Sequence, residues 1–243
     1  MSDSITALRG TLMGAESIVA LTGAGISAES GIPTFRGKDG LWRNFSAQAL
    51  ATPEAFRRDP RLVWEWYDWR RCLIGKAEPN GGHRALAELE RRQAARGGSF
   101  TLVTQNVDGL HDRAGSKNIL KLHGDIWRLR CVACGMETHN EETPLKELPP
   151  RCGCGGLFRP GVVWFGEGLP GDTWEQACAA CSQSQILLVI GTSATVYPAA
   201  GLAQVARAAG APVAVVNPEP SAIDDLAQWV LRGPSGEILP RLL

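Results

Sequence analysis

Glycines and small polar residues follow the first apolar stretch of the sequence. The run Thr22-Gly23-Ala24-Gly25-Ile26-Ser27-Ala28 comes directly after Ile18–Leu21. Glycines at this spacing allow a tight turn in which backbone N–H groups approach a pyrophosphate at a helix N-terminus. Because many Gly-x-Gly-x-x-Ala matches are only tight turns, the motif indicates a dinucleotide site only in the right structural context.

Two later runs carry polar or ionisable side chains. Gln105, Asn106 and Asp108 place two amides and a carboxylate after an apolar run, which is also the composition of a polar turn after a strand. His123 lies in Lys-Leu-His-Gly-Asp. An imidazole with an unperturbed pKa near neutrality suits a general base.

The other histidines are competitors for that role. His111 ends the Gln-Asn-Val-Asp-Gly-Leu-His loop, and we expect it to order the loop. His83 begins a helical pattern, and His139 lies in a cysteine-rich stretch, where it could be a surface residue. The presence of a histidine alone therefore does not identify the general base.

Four cysteines are spaced as metal ligands. Cys131-x-x-Cys134 is followed after seventeen residues by Cys152-x-Cys154, and four thiolates suit a tetrahedral structural zinc site. The second pair is one residue shorter than the common spacing, which predicts a tighter chelate and leaves zinc occupancy open. A closed four-cysteine shell has no open position, so this zinc would do no chemistry.

Another cysteine pair has redox-like spacing. Cys178-x-x-Cys181 lies in the helical pattern Trp174–Gln185, with no further ligand nearby in the sequence. We interpret both as buried helix residues.

Composition and charge limit the class of protein. The chain has 243 residues, of which 44% are apolar and 21% charged, a globular balance. Lys plus Arg equals Asp plus Glu at 25 each, so no net charge attracts nucleic acid or membrane. The N-terminus lacks the apolar core of a signal peptide, and no apolar run approaches the roughly 18 residues of a membrane span. We expect a cytoplasmic monomer that binds neither nucleic acid nor membrane.

The surrounding elements predict an α/β fold. Apolar runs predict buried parallel strands, and alanine, leucine and charged residues at helical spacing predict helices between them. The strands are Ile18–Leu21, Phe100–Thr104, Ile186–Ile190 and Val213–Val216, and two of the helices are His83–Arg96 and Pro198–Ala209. This alternation favours a Rossmann-like doubly wound parallel sheet.

Two stretches interrupt the alternation. One is rich in Trp and Arg and reads as a helical insert, and the other holds the paired cysteines. We predict a discontinuous dinucleotide-binding domain of residues 1–31, 81–129 and 160–243, and a small domain of residues 32–80 and 130–159.

The glycine loop and its continuation, Gly23-Ala24-Gly25-Ile26-Ser27-Ala28-Glu29-Ser30-Gly31-Ile32-Pro33-Thr34-Phe35-Arg36-Gly37, resemble the opening motif of the sirtuin (Sir2-like) family. Similar motifs follow in the family's order: Thr104–His111, Lys121–Asp125, Val162–Glu167, Gly191-Thr192-Ser193 and Asn217-Pro218. The resemblance extends from about Ala15 to Leu231 and is far more specific than the glycines alone.

The resemblance implies an NAD-dependent protein lysine deacylase whose partners are acylated-lysine proteins or peptides. In that reaction the acyl oxygen displaces nicotinamide from NAD, and a histidine deprotonates a ribose hydroxyl, so that the acyl group passes to ADP-ribose. The implied catalytic residues are His123, as general base, and Asn106.

The implied NAD-binding residues follow the family's motifs. Phe35 would shield the ribose from water, Arg36 could pair with phosphate, and Asn217 would be a neutral ribose ligand. The full set is Gly23, Ala24, Gly25, Ile26, Phe35, Arg36, Gln105, Asn106, Asp108, His123, Gly191, Thr192, Ser193 and Asn217.

The resemblance also implies a substrate site. Val163, Trp164 and Phe165 would pair with the substrate backbone. The surroundings of Tyr67 and Arg70 resemble the subclass that removes succinyl and malonyl groups. In that subclass a Tyr-x-x-Arg pair binds the distal carboxylate, and a small residue, here Ala51, leaves room for the longer acyl chain.

Two other functions stay open. A protein mono-ADP-ribosyltransferase would need Asn106 and Asp108 but no acyl-lysine tunnel. A non-catalytic NAD or ADP-ribose sensor could dispense with His123. The Tyr67 and Arg70 pair, together with His123, favours deacylation.

Overall fold

The computed structural model describes residues 2–34, 41–42 and 45–243. Its large sheet has six parallel strands in the order β5-β4-β1-β9-β10-β11. These are β1 (Ser17–Thr22), β4 (Ser99–Thr104), β5 (Ile119–Lys121), β9 (Ile186–Ile190), β10 (Val213–Val216) and β11 (Trp229–Leu231). The first strand lies in the middle and successive strands are added outward on each side, which is the Rossmann order. The predicted Rossmann-like fold is confirmed.

Helices cover both faces of this sheet. Alternate residues of β1 enter different cores, Ile18 and Ala20 on one face and Val19 and Leu21 on the other, because strand side chains alternate in direction. The covering helices include α1 (Ser2–Gly14), α5 (Gly81–Ala95), α7 (Gly171–Gln183) and α8 (Leu202–Ala208). Burial on both faces explains why β9 and β10 are continuous apolar runs.

Local chemistry sets the helix ends. The α5 helix begins before the predicted His83 because the Asn80 side chain accepts hydrogen bonds from Gly82 N and His83 N. The predicted helix Pro198–Ala209 is a 3-10 turn, Ala199–Gly201, followed by α8. In the described chain, no helix is both long and apolar enough to cross a membrane.

A small antiparallel sheet in the order β7-β6-β8 packs against helices from the first insert. The sheet consists of β6 (Gly124–Cys131), β7 (Glu137–His139) and β8 (Phe158–Val162). The insert supplies a hairpin of β2 (Leu41–Trp42) and β3 (Phe45–Ser46), and the helices α2 (Ala47–Leu50), α3 (Pro53–Arg58) and α4 (Pro60–Lys76). One core joins both inserts and includes Trp64, Tyr67, Ile126, Phe158 and Trp164. Division of the chain at the predicted domain boundaries stays a prediction.

Short helices complete the chain. The α6 helix (Leu110–Ala114) follows the Asp108 loop. The α9 helix (Ser235–Ile238) and the 3-10 turn Leu239–Leu242 pack against α5. Glu29 accepts a hydrogen bond from Gly236 N at 2.8 Å, which ties α9 to the glycine loop.

Candidate active site

The loops after β1 and β9 touch through their backbones. Gly25 N donates to the Gly191 carbonyl at 2.7 Å, and Gly23 N donates to the Ile190 carbonyl at 3.0 Å. A Cβ on Gly25 would lie 2.8 Å from Gly191 Cα, and one on Gly191 would lie 2.7 Å from the Gly25 carbonyl carbon. Gly191 also has φ +61°, which favours glycine. The contact lies where the strand order reverses, the usual ligand crevice of such sheets.

The remaining residues of the two loops surround this contact. Ala24 is half-buried, and the Ile26 side chain is fully buried, so Ile26 can offer a ligand only its backbone. Thr192 Oγ1 accepts from Ala194 N at 3.1 Å and from Gln105 Nε2 at 3.4 Å. The Ser193 hydroxyl lies 3.1 Å from the Thr195 hydroxyl. The cradle is therefore mainly backbone with short hydroxyl side chains.

Asn217 follows β10 at the same edge of the sheet. Its Nδ2 donates to the Glu219 carbonyl at 2.7 Å, and its side chain is buried. The amide oxygen is thus the group of Asn217 that a ribose hydroxyl could reach.

Ser27 joins the two polar residues of the second loop. Its hydroxyl donates to Asp108 Oδ2 at 2.8 Å and accepts from Asn106 Nδ2 at 3.2 Å. The Asn106 amide also donates to the Gly23 carbonyl, at 3.1 Å. Leu110 N donates to Asp108 Oδ1 at 2.9 Å. Burial raises the pKa of Asp108, and the hydrogen bonds from Leu110 and Ser27 oppose that rise.

His123 lies between β5 and β6 with its Nδ1 2.9 Å from the Gln105 carbonyl oxygen. A carbonyl only accepts, so Nδ1 carries the proton and Nε2 keeps its lone pair. Burial lowers the pKa of His123, and the hydrogen bond to Gln105 opposes that fall. The imidazole is therefore neutral near pH 7 and has the form that a general base requires.

The other three histidines are placed differently. His83 and His111 are buried with ring centroids 4.8 Å apart, and burial lowers the pKa of His83 to about 4 and that of His111 well below its usual range. His83 Nε2 lies 3.3 Å from Ser27 Oγ, and His111 Nε2 lies 3.0 Å from Thr22 Oγ1. His139 is exposed and lies 2.9 Å from Glu141. His83 and His111 therefore contact hydroxyls beside the site, His139 lies at the surface, and His123 is half-buried.

Tyr67 and Arg70 share one face of α4. Tyr67 is buried, and its hydroxyl accepts from Trp164 Nε1 at 2.9 Å. The Arg70 guanidinium carbon lies 5.1 Å from the Trp66 ring centroid and 6.0 Å from that of Tyr67. Burial lowers the pKa of Arg70, and the charges of Tyr67 and Asp108 oppose that fall. Arg70 is therefore close enough to the Asp108 carboxylate to interact with it electrostatically.

The segment from Val163 to Phe165 continues from β8. Its three backbone N–H groups already have acceptors, which are the His123 carbonyl, Glu167 Oε2 and the Ala51 carbonyl, each at 2.8 or 2.9 Å. Pairing with a substrate backbone therefore stays a prediction in which this segment offers carbonyl oxygens rather than N–H groups. Ala51 is buried, and its carbonyl accepts the hydrogen bond from Phe165 N, so the two residues are neighbours. Phe35 and Arg36 lie outside the described residues.

The four predicted cysteine ligands meet in one cluster. All four sulfur atoms lie within 4.8 Å of one another, with Cys131 and Cys154 3.5 Å apart and Cys134 and Cys152 3.8 Å apart. Zinc–sulfur bonds of about 2.3 Å in a tetrahedron require sulfur separations of about 3.8 Å. The residues therefore fit a structural zinc ion, and the short second pair reaches the same cluster as the first.

Several supporting side chains were not identified from sequence. Ser27 lies inside the recognised motif, but its bonds to both Asn106 and Asp108 depend on the contact between two loops. The bond from Trp164 to Tyr67 spans 97 residues, and no sequence spacing signals it. Cys178 and Cys181 lie in α7, with Cys181 buried and Cys178 half-buried, and neither belongs to the zinc cluster.

Known proteins are similar to this chain in sequence and in fold. The NAD-dependent protein deacylase of Aquifex aeolicus is 59% identical over 211 residues, which cover 86% of this chain and 87% of that protein. NAD-dependent protein deacylase 2 of Pyrobaculum aerophilum is 55% identical over 93% of this chain and 89% of its own length. The solved structure of a Sir2 homolog–NAD complex has a TM-score of 0.92 and 45% identity, covering 98% of this chain and 91% of that one. The Sir2 family matches residues 23–198, and the chain belongs to that family.

Proposed function

We propose that this chain is an NAD-dependent protein lysine deacylase that removes succinyl, malonyl and acetyl groups, giving nicotinamide and O-acyl-ADP-ribose. The proposal depends on the unprotonated Nε2 of His123, whose Nδ1 is held by the carbonyl of Gln105, the residue before Asn106. Ser27 connects Asn106 and Asp108 at the switch point of the sheet. Membership of the Sir2 family and the similar NAD-dependent deacylases support the same activity.

Each group has a role in this reaction. NAD, when bound, supplies the ribose that accepts the acyl oxygen, with nicotinamide as the leaving group. The cradle of Gly25 and Gly191 would hold the pyrophosphate, and Asn106 and Asp108 would orient the nicotinamide ribose. His123 Nε2 would take the proton of a ribose hydroxyl, while the Gln105 carbonyl keeps the imidazole in the required tautomer.

The preference for acidic acyl groups rests on the α4 helix. Tyr67 and Arg70 are three residues apart on one helix face, so a phenol and a guanidinium can meet the same carboxylate. Ala51 is small and buried, which leaves volume for a longer acyl chain.

The proposed activity is tested by mass spectrometry of matched succinyl-, malonyl- and acetyl-lysine peptides with and without NAD. We expect NAD-dependent loss of each acyl group and the appearance of the matching O-acyl-ADP-ribose. Loss of acetyl alone would remove the role of Tyr67 and Arg70. Transfer of ADP-ribose to protein without acyl loss would replace deacylation with ADP-ribosyl transfer.

Substitution of Arg70 tests the acyl preference directly. Arg70→Met should lower kcat/KM for the succinyl peptide about 10- to 100-fold and leave the acetyl peptide nearly unchanged, since a hydrogen bond to a charged group contributes about 1.5–3 kcal/mol. Arg61→Met is the matched control, because Arg61 lies on the same helix with its side chain 75% exposed. Equal losses on both peptides would contradict the carboxylate clamp.

A further inference from the structure

The Tyr67 hydroxyl is buried and already has a donor. The residue is 2% exposed, and its Oη accepts the hydrogen bond from Trp164 Nε1 at 2.9 Å. The indole N–H can only donate, so the phenol oxygen must act as the acceptor in this contact. Within residues 2–34, 41–42 and 45–243, the structure gives the Tyr67 O–H no acceptor of its own. The phenol proton therefore points away from Trp164 and is available to an acceptor on a bound ligand.

Trp164 is fixed on both sides and along its backbone. The Arg159 guanidinium carbon lies 3.4 Å from the ring centroid of Trp164, and the Phe56 ring lies 5.3 Å away. Glu167 accepts from Trp164 N at 2.8 Å and forms two hydrogen bonds with Arg159, at 2.6 and 2.9 Å. Rotation of the indole away from Tyr67 would therefore lose its contact with the Arg159 guanidinium.

A phenol whose O–H is free to rotate can be a hydrogen-bond donor or acceptor. It can therefore bind neutral and charged groups with little discrimination. The indole N–H removes that freedom, because rotation of the phenol proton toward Trp164 would place two donors against each other. A carboxylate offers only acceptors and forms stronger, charge-assisted hydrogen bonds. The arrangement therefore favours an anionic group beside Tyr67.

We propose that Trp164 is a positioning residue for acyl specificity, because its indole N–H fixes the Tyr67 hydroxyl as a donor toward the distal carboxylate of a succinyl or malonyl group. This inference rests on the proposed function and deepens it. It gives the Trp164 side chain a role that differs from the backbone pairing predicted from sequence. It also assigns Arg159 and Glu167 to the support of specificity rather than to chemistry. Burial raises the pKa of Tyr67 to about 12, so the phenol keeps its proton at neutral pH.

Trp164→Phe tests the proposal, since phenylalanine keeps an aromatic ring, although a smaller one, and has no N–H to donate. We expect KM for the succinyl peptide to rise about 2- to 10-fold, the range for one net hydrogen bond, with kcat nearly unchanged. KM for the acetyl peptide should rise less, so the ratio of the two KM values is the readout. Trp174→Phe, in α7, is the matched control for loss of an indole and should change neither peptide.

A double-substitution cycle with Tyr67→Phe separates positioning from packing. Once the hydroxyl is gone, Trp164→Phe should produce no further selective loss, so the effects of the two substitutions on succinyl KM should be non-additive. Thermal unfolding of each variant verifies that it folds. Additive losses, or equal losses on both peptides, would overturn the positioning role. A wild-type protein that removes acetyl but not succinyl would instead overturn the carboxylate clamp, and the present inference with it.

Discussion

The identity of one protonated nitrogen decides what His123 can do. The Gln105 carbonyl is an acceptor, so it holds the proton on Nδ1 and leaves Nε2 for the reacting hydroxyl. The same carbonyl belongs to the loop that carries Asn106 and Asp108. The base and the residues that would orient the ribose are therefore positioned by one short stretch of chain.

The pH dependence of turnover should report this imidazole. Burial lowers the pKa of His123, and the base works only when neutral, so activity should be full at pH 7 and fall as pH decreases through a pKa below 6.5. His123→Ala should lose about 10²- to 10⁴-fold in kcat, the usual contribution of a general base, while an NAD analogue still binds in calorimetry. Full activity of the His123→Ala variant would contradict the assignment.

Sequence motifs identified the candidate residues but did not predict the hydrogen bonds between them. Asn106 and Asp108 follow Phe100–Thr104, whose strand character is clear from composition, so their place at the edge of the sheet was predictable. The short strand before His123 was not predicted. Ser27 and Trp164 gain their roles only from contacts between segments distant in sequence. Phe35 and Arg36 lie outside the described chain, and their roles stay predictions.

At the scale of elements, the loops after β1 and β9 approach each other so closely that Gly25 and Gly191 have no room for a side chain. The Gly25–Gly191 contact brings the ends of β1 and β9 together, and Gly191 has φ +61°. In Gly191→Ala, both the clash and the left-handed backbone conformation should disfavour the folded state, the latter alone by about 1–2 kcal/mol.

Gly191→Ala should therefore lower the melting temperature and weaken NAD binding by at least about 10-fold, measured by calorimetry. Gly201→Ala is the matched control, because a Cβ at Gly201 would meet nothing within 4 Å. Wild-type affinity in the Gly191→Ala variant would mean that the two loops can separate without cost and that their contact does not form the cradle.

The cysteine cluster joins the C-terminal end of β6, at Cys131, to the segment that precedes β8. Removal of zinc by a chelator, or Cys131→Ser, should lower the melting temperature, because the energy of metal binding contributes to folding. Cys178→Ser is the control, since Cys178 lies outside the cluster and should leave zinc content unchanged. Restoration of catalysis by added metal in an apo-protein that is already folded would contradict the structural role.

Element length separates what was predictable from what was not. The strands β1, β4, β9 and β10 have four to six residues and are rich in apolar side chains, and all four were predicted. The strands β5 and β11 have three residues each, too few for any periodicity to be recognised. The small sheet also escaped prediction, because its cysteine-rich connections dominate the local composition.

At the scale of the whole molecule, two buried histidines join three elements. His83 lies in α5, His111 lies in α6, and Thr22 of β1 contacts His111. Both imidazoles are neutral in the folded protein, since burial lowers the pKa of His83 to about 4 and that of His111 well below its usual range. The unfolded chain binds protons at about pH 6.5, so it is favoured as the medium is acidified.

The free energy of unfolding should therefore decrease as pH falls from 6.5 toward 4, with His83 contributing at most about 3 kcal/mol of that decrease. His83→Gln should be less stable than wild type at pH 7 but should show a flatter decline. Urea unfolding at several pH values measures both slopes. Identical slopes for the two proteins would exclude His83 as a source of the acid sensitivity.

His123 is also the link between the two sheets, since β5 ends at Lys121 and β6 begins at Gly124. Its carbonyl accepts from Val163 N beside β8, so the small sheet shares in fixing the residue. A chain whose small sheet has come apart would keep its glycine cradle and the Gln105 contact but would lose the bond from Val163 N to the His123 carbonyl. We expect such a partly unfolded chain to bind NAD while its turnover falls.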